Sequence, residues 1–344
     1  MECPVAPVKG LPSFLVTRHQ DCSAILTSKR FGFEDSSSLS ESKPDYGFMR
    51  RSMMVFQNSP NHQKARLEGR RMLRRESPDK VVEEAAHEVI DRWTQRKGPL
   101  DSVSNLARPF TWRIAERILE GEIGDPDKFQ ETMWQLARSM DPLAAGNSVT
   151  KAGGFYRLLE GMIEHSGCPA GGQVEPFLML MMASTFTTNH ILGLVIEALL
   201  RDEEGRSLLR NGWNVDEAAV EELFRICSPV QMTRRVALQE VEVAGKEYPS
   251  GTVFWLSLRS ANFDEDIFEV AGRLRLDRSH NPHLAFGKGV HNCLGADLAR
   301  LQLRTFLNTF AGREPELALS KEKAVGLDHL VFRGFQRLLL EKEC

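Results

Sequence analysis

Phe286-Gly287-Lys288-Gly289-Val290-His291-Asn292-Cys293-Leu294-Gly295, followed by Ala296-Asp297-Leu298-Ala299-Arg300, is the stretch on which the reading of this chain turns. Two glycines two apart permit positive φ or close backbone approach, and so a tight bulge. The cysteine then precedes an amphipathic helix carrying Leu298, Leu301, Leu303, Phe306 and Leu307. Backbone N–H groups of such a loop, and the positive end of the helix, can all point at the Cys293 sulfur. Those features favour the thiolate, the form that binds metal. Gly295 leaves room for a large flat ligand against the helix start. The bland alternative is a Gly-rich turn with an incidental buried cysteine. A dinucleotide fingerprint is excluded, because Gly287 and Gly289 lack a third glycine at the required place and follow no βαβ pattern.

Outward from this loop, the 344 residues have an ordinary balance for a chain that buries a sizeable core: 42% hydrophobic and 26% charged. A net charge of -3 gives no global electrostatic reason to expect nucleic acid or an anionic membrane as partner. The start, Met1-Glu2-Cys3-Pro4, has no basic region leading into an apolar core, so neither a secretory signal nor a membrane anchor is expected. The most apolar stretch, Phe177 to Phe186, is far shorter than the roughly 20 residues of a spanning helix. The six cysteines stand singly (Cys3, Cys22, Cys168, Cys227, Cys293, Cys344) with no Cys-x-x-Cys pair, which disfavours structural zinc or a redox dithiol. Scattered thiols fit a reducing, cytoplasmic location.

Between Pro78 and Leu200 the pattern is helical, as in Val81, Ala85, Val89 and Trp93. Strand-like alternation is concentrated between Val236 and Leu258, around the turn residues Gly245, Pro249 and Gly251. Ser36 to Ser42 reads as a surface loop, and Gly167 to Gly172 as a turn. The expectation is one domain over 1–344, mainly α with a small β-sheet portion.

The pattern Phe-Gly-x-Gly-x-His-x-Cys-x-Gly, with Ala-Arg shortly after, resembles the haem-binding signature of the cytochrome P450 family, and Asn281-Pro282-His283-Leu284-Ala285 strengthens its similarity to bacterial members. The resemblance implies a cytochrome P450-like fold, haem b as cofactor and Cys293 as the iron ligand, with Phe286, Gly287, Gly289 and Gly295 shaping its loop. Glu222-Leu223-Phe224-Arg225 resembles the family's Glu-x-x-Arg. Positions three apart share a helix face, and the family completes this structural network with an arginine that matches Arg273. Haem propionates need cationic partners when partly buried. His62 and Arg66, four apart and so about 6 Å along a helix axis, are similar to the family's propionate-binding helix start. Arg235, in preference to Arg234, and His291 complete the set.

The family lays a long helix over the other haem face, with an acid before a proton-delivering threonine. Here Ala183-Ser184-Thr185-Phe186-Thr187-Thr188 occupies that place, with Ala183 and Thr187 facing the iron. Phe186 replaces the acid, and a phenyl ring cannot relay protons, so Phe186→Asp is expected to raise oxidation. The resemblance implies a monooxygenase acting on an apolar or amphipathic small molecule in secondary metabolism. Electrons come from a ferredoxin or flavodoxin with its reductase, docking on Arg70, Arg71, Arg74 and Arg75. The lost acid leaves two alternatives open: a haem-thiolate isomerase, dehydratase or peroxygenase, and a haem-binding recruitment module without turnover. The early sheet start is expected to be absent and the substrate lid between Asp141 and Phe177 to be compressed. Val236, Leu238 and Leu330-Val331-Phe332 are expected to line the pocket.

Overall fold

The computed structural model describes residues 5–8, 13–34, 44–74, 77–121, 123–139, 141, 148–165, 174–313 and 316–342. The expected loop at Ser36–Ser42, the turn at Gly167–Gly172 and Arg75 lie outside the described residues. In chain order the helices are α1 (His19–Thr27), α2 (Pro44–Ser52), α3 (Asn61–Met72), α4 (Pro78–Thr94), α5 (Arg108–Leu119) and α6 (Pro126–Ser139). They continue with α7 (Ser148–His165), α8 (Val174–Arg201), α9 (Glu203–Asn211), α10 (Glu217–Cys227), α11 (Leu258–Asn262) and α12 (Ala296–Phe310).

The stripe read from the sequence at Val81, Ala85, Val89 and Trp93 is the buried face of α4. Pro78 sits in its first turn, where a missing N–H costs nothing, and Asp79 meets the positive end of its dipole. That face packs on α12, the helix that begins just after Cys293. Helix α8 runs through the centre of the fold and packs on α5, α9, α7 and α10. It corrects one expectation. The apolar stretch does not stop at Phe186 but belongs to a helix of 28 residues, long and apolar enough to cross a membrane by length and composition alone. Two thirds of that apolar window (67%) is buried inside the protein, so its character reports a core position.

The first eight sheet strands are β1 (Val5–Pro7), β2 (Ser13–Val16), β3 (Phe31–Gly32), β4 (Leu100–Asp101), β5 (Met232–Ala237), β6 (Val241–Val243), β7 (Lys246–Tyr248) and β8 (Val253–Ser257), and four short ones follow α12. The main sheet has the order β1-β2-β8-β5-β3. Only the β2–β8 pair is parallel, with Phe14 beside Phe254. The expectation of a missing sheet start is therefore corrected, since β1 pairs antiparallel with β2, Val5 opposite Val16. Helix α7 fills 18 residues of the stretch expected to be compressed. Along β5, side chains alternate between faces, which separates Arg234 from Arg235. That separation decides one edge of the site.

Candidate active site

Gly287 (φ 64°) and Gly289 (φ 73°) both adopt the left-handed backbone that glycine tolerates. A Cβ on Gly289 would lie 2.4 Å from the Leu26 carbonyl oxygen, so α1 leaves no room for one. The bulge returns the chain so that the Cys293 N–H donates to the Phe286 carbonyl at 2.8 Å. Helix α12 starts three residues later. The thiol is surrounded at close range by protein yet open on its cavity side, where the residue as a whole counts as exposed. Burial pushes its pKa up; the Gly295 N–H and the Arg66 and Arg300 charges pull the other way. A Cβ on Gly295 would meet nothing within 4 Å, so this wall of the cavity is open beside the sulfur.

The sulfur looks into a slot enclosing about 1460 Å³ of atom-free space, its open mouth included. Its floor is Ala285, Phe286, Leu294, Gly295, Leu298 and Ala299; its opposite wall comes from α8 through Leu180, Ala183, Ser184, Thr187, Thr188 and Ile191. Ala183 and Thr187 therefore share the slot with Cys293. The Thr187 hydroxyl donates to the Ala183 carbonyl at 2.8 Å, and Ser184 to Leu180 at 2.6 Å.

Phe186 does not join them. A residue beside Thr187 on a helix is rotated by about 100°, and the Phe186 ring stacks on Trp134 (6.2 Å) and meets His190 (4.7 Å) and Phe332 (5.0 Å) edge-on. A carboxylate at this position would stand among those rings and not in the slot. The structure thus places Phe186, expected as a distal catalytic position, behind Thr187 on the Trp134 side of α8 and outside the slot lining. Val236, Leu238 and Leu330-Val331-Phe332 also fail to line the slot; Pro229, Val230, Thr233 and Leu258 do so instead. Leu238 is 46% exposed on the outside of the sheet.

One edge of the slot is electropositive. The His62 and His291 rings lie 4.0 Å apart, Phe33 packs on His291 at 5.2 Å, and the Arg235 guanidinium stacks over Phe33 at 4.9 Å. Arg66 lines the same edge. Arg234 points the other way and pairs with Glu34, which Arg50 also holds. Arg235 is 5% exposed, and among the described residues its side chain donates to Thr233 Oγ1 and the Arg234 carbonyl. Burial lowers its pKa to about 10. His291 is pushed down to about 3 by burial and by the Arg235, His62 and Arg66 charges. His62 is lowered by burial and by the Arg66 and Arg235 charges. Two arginines and two imidazoles thus converge with no carboxylate from the described residues lining the slot among them, an arrangement that calls for an anionic ligand.

Below the loop, Glu222 and Arg225 are completely buried. Arg225 donates to Glu222 at 2.8 and 2.7 Å, and to the carbonyls of Asn262, Ala271 and Arg273. The third charged partner is Arg278, whose Nε donates to Glu222 at 3.0 Å. This corrects Arg273, which is exposed and contributes only its backbone oxygen. Asn281 and the Arg275 N–H complete five donors on one carboxylate. Burial alone would raise the Glu222 pKa; the Arg225, Arg275 and Arg278 contacts outweigh it and hold it low. The arginines expected to form a docking face divide in two. Arg70 and Arg74 stand with Arg300 and Arg304 around the groove on the Cys293 side, whereas Arg71 lies outside it, paired with Glu68.

Sequence reasoning missed Phe33, which cushions both Arg235 and His291. It also missed Gln302, a buried amide lining the slot, and the Glu221–His283–Arg300 cluster behind the loop. None has a local signal, because each acquires its role from a distant segment.

A mainly helical fold with a thiol on the floor of a largely apolar cavity, and an anion-seeking edge beside it, is that of a haem-thiolate protein. The residues present fit haem: an open wall at Gly295, a sulfur at the floor, and two arginines with two imidazole donors for two propionates. The chain belongs to the cytochrome P450 family, whose members bind haem b. The family model described as Cytochrome P450 matches residues 214–311. The biotin biosynthesis cytochrome P450 of Bacillus subtilis is 30% identical over 340 residues, covering 90% of this chain and 85% of that relative. The vitamin D(3) 25-hydroxylase of Pseudonocardia autotrophica is 28% identical over 348 residues, covering 94% and 84%. Among solved structures, P450BioI in complex with hexadec-9Z-enoic acid ligated acyl carrier protein superposes with a TM-score of 0.87 at 25% identity, covering 99% of this chain and 95% of that one. The mycinamicin VIII C21 methyl hydroxylase of Micromonospora griseorubida, bound to mycinamicin VIII, gives 0.82 at 25% identity, covering 98% and 92%. The protein is an oxidoreductase of the haem-thiolate monooxygenase type.

Proposed function

We propose that residues 1–344 form one haem-binding unit, a cytoplasmic monooxygenase that hydroxylates an apolar or amphipathic small molecule in secondary metabolism. Cys293 is the iron ligand, and His62, Arg66, Arg235 and His291 hold the propionates. The observation that carries this reading is the shared slot, with Cys293 on its floor and Ala183 and Thr187 on the facing wall. When bound, haem supplies the oxidising chemistry, which an electron-rich thiolate favours. Thr187 holds a hydroxyl at the Ala183 carbonyl, at the helix face where protons must arrive. Leu26, Met54, Val55, Met179, Leu180, Ile191 and Val230 line the remaining surface and exclude water around an apolar substrate. Electrons arrive from a ferredoxin or flavodoxin on the Arg70, Arg74 and Arg304 side.

The relatives guide the choice of substrate to test, since one solved neighbour holds hexadec-9Z-enoic acid on an acyl carrier protein and another holds mycinamicin VIII. The test is a spectral titration of the haem-loaded protein with free hexadec-9Z-enoic acid, the same acyl group on an acyl carrier protein, and mycinamicin VIII, followed by turnover with ferredoxin and reductase. A saturable shift of the Soret band with a hydroxylated product supports the reading. Turnover that needs no reductase, or isomerisation without oxygen uptake, overturns it.

A further inference from the structure

We propose that Arg300 and Glu221 are positioning residues that set the reduction potential of the haem iron from behind the Cys293 loop, through the Phe286 ring. The inference rests on Cys293 being the ligand. Arg300 meets Glu221 fork to fork, Nε to Oε1 at 2.6 Å and Nη2 to Oε2 at 3.0 Å. The face of the same guanidinium lies 4.5 Å from the Phe286 ring centre. Phe286 lines the slot, and its carbonyl accepts the Cys293 N–H at 2.8 Å. On its other contacts the ring packs against Phe224 at 4.6 Å. His283 ties in the segment before the loop: its Nδ1 accepts from the Ala285 N–H, so Nε2–H donates to Glu221 at 3.0 Å. One carboxylate thus joins α10, the loop approach and α12.

Glu221 and Glu222 are neighbours with different duties. Glu222 faces the fully buried network, where its partners never approach the slot. Glu221 carries the cation that stacks on the ring backing the ligand loop. The Glu221 pKa is held at about 2, against burial, by the His283 and Arg300 contacts, so the pair is ionised throughout the working range. Reduction adds one electron to the iron–sulfur unit. A nearby positive charge stabilises the added electron and a nearby negative charge opposes it. Arg300 also reaches the fully exposed, solvent-screened Asp297 at 3.4 Å; with Glu221 it forms a balanced pair, and removing either member of that pair changes the local charge by one unit, in opposite directions. Side-chain exposures of 36% and 26% mean partial screening, so the sign of each change is the decisive reading.

The experiment is spectroelectrochemical titration of the full haem-loaded chain and its Arg300→Gln, Glu221→Gln, double Glu221→Gln/Arg300→Gln and Arg300→Lys variants. The potential is expected to fall in Arg300→Gln and to rise in Glu221→Gln. It should return close to wild type in the double variant, and Arg300→Lys should stay nearer wild type than Arg300→Gln. A purely structural role predicts shifts of one sign, largest in the double variant. That outcome, or no shift, overturns the inference. If Arg300→Gln does not load haem, Glu221→Gln alone decides, a rise supporting and a fall or no change refuting. The reduced carbon monoxide spectrum of wild type separates this failure from failure of the ligand assignment. If the thiolate-type band is present, only the tuning role is lost.

Discussion

Replacing Arg278 with alanine tests the buried network under the cysteine loop more sharply than replacing either member read from the Glu-x-x-Arg motif. Arg278 is 6% exposed, donates through Nε to Glu222 at 3.0 Å, and gives Nη1 to the Glu269 carbonyl at 3.1 Å. Truncation leaves a fully buried carboxylate with one charged partner fewer and a carbonyl without its donor. Breaking a buried ion pair from one side costs about 3–5 kcal/mol, and a single orphaned acceptor about 1–3 kcal/mol, the two overlapping in part. Natural stabilities are only about 5–15 kcal/mol, so Arg278→Ala should lose a large share of the total. Arg273→Ala removes an exposed side chain and leaves the backbone carbonyl that Arg225 uses. Its effect should stay within about 0.5 kcal/mol. Urea unfolding of the haem-loaded protein, followed by tryptophan fluorescence and by the Soret band, measures both. Equal destabilisation by the two variants, or a larger loss in Arg273→Ala, refutes the assignment of Arg278.

Three further outcomes follow from the same geometry. Glu221 has a folded pKa of about 2 against an ordinary 4.5. Its contribution, about 3 kcal/mol at most, is present above pH 4.5 and is lost as pH falls from 4.5 through 2. Glu221→Gln should therefore show a flatter stability profile than wild type across that window, and parallel profiles would contradict it. Arg235→Leu removes one charge-assisted partner from the anion-seeking edge, worth about 1.5–3 kcal/mol. Haem transfer to an acceptor protein should then show affinity lower by about 10- to 100-fold, and unchanged retention would remove Arg235 from the propionate set. Reversing Arg70 and Arg74 to Glu should raise the KM for an acidic ferredoxin at low salt, with the difference shrinking as salt screens it. Equal KM values at low salt would place docking elsewhere.

The sequence carried the parts of this site that are local. The cysteine loop was legible because its glycines, cysteine and the first turn of the following helix lie within fifteen residues, and each has a backbone reason to be there. Ala183 and Thr187 could be placed on one face because four residues make about one helical turn. Phe186 could not be placed beyond that, since its surroundings come from Trp134 and Phe332, far away in the chain. The choice among Arg273, Arg275 and Arg278 was beyond sequence for a similar reason. All three fall within six residues, in an irregular segment whose turns decide which guanidinium reaches Glu222. Family order favours Arg235 over Arg234, and the strand's alternation is the physical reason that Arg235 lines the slot while Arg234 turns to Glu34. The length of α8 was underestimated because its polar midsection, Ser184 to Asn189, interrupts the apolar run while the hydroxyls of Ser184, Thr185 and Thr187 bond back to the helix itself.

The central claim is the bond between iron and the side chain at position 293, and the carbon monoxide difference spectrum of the reduced, haem-loaded protein addresses it directly. Cys22 and Cys227 are deeply buried, with pKa values pushed by burial to about 12, and serve as controls. Wild type, Cys22→Ala and Cys227→Ala should all show the red-shifted Soret band of a thiolate-ligated ferrous carbonyl, and Cys293→Ala should lose it. A Cys293→Ala protein that keeps this band, or a wild type that takes up no haem, would contradict the account.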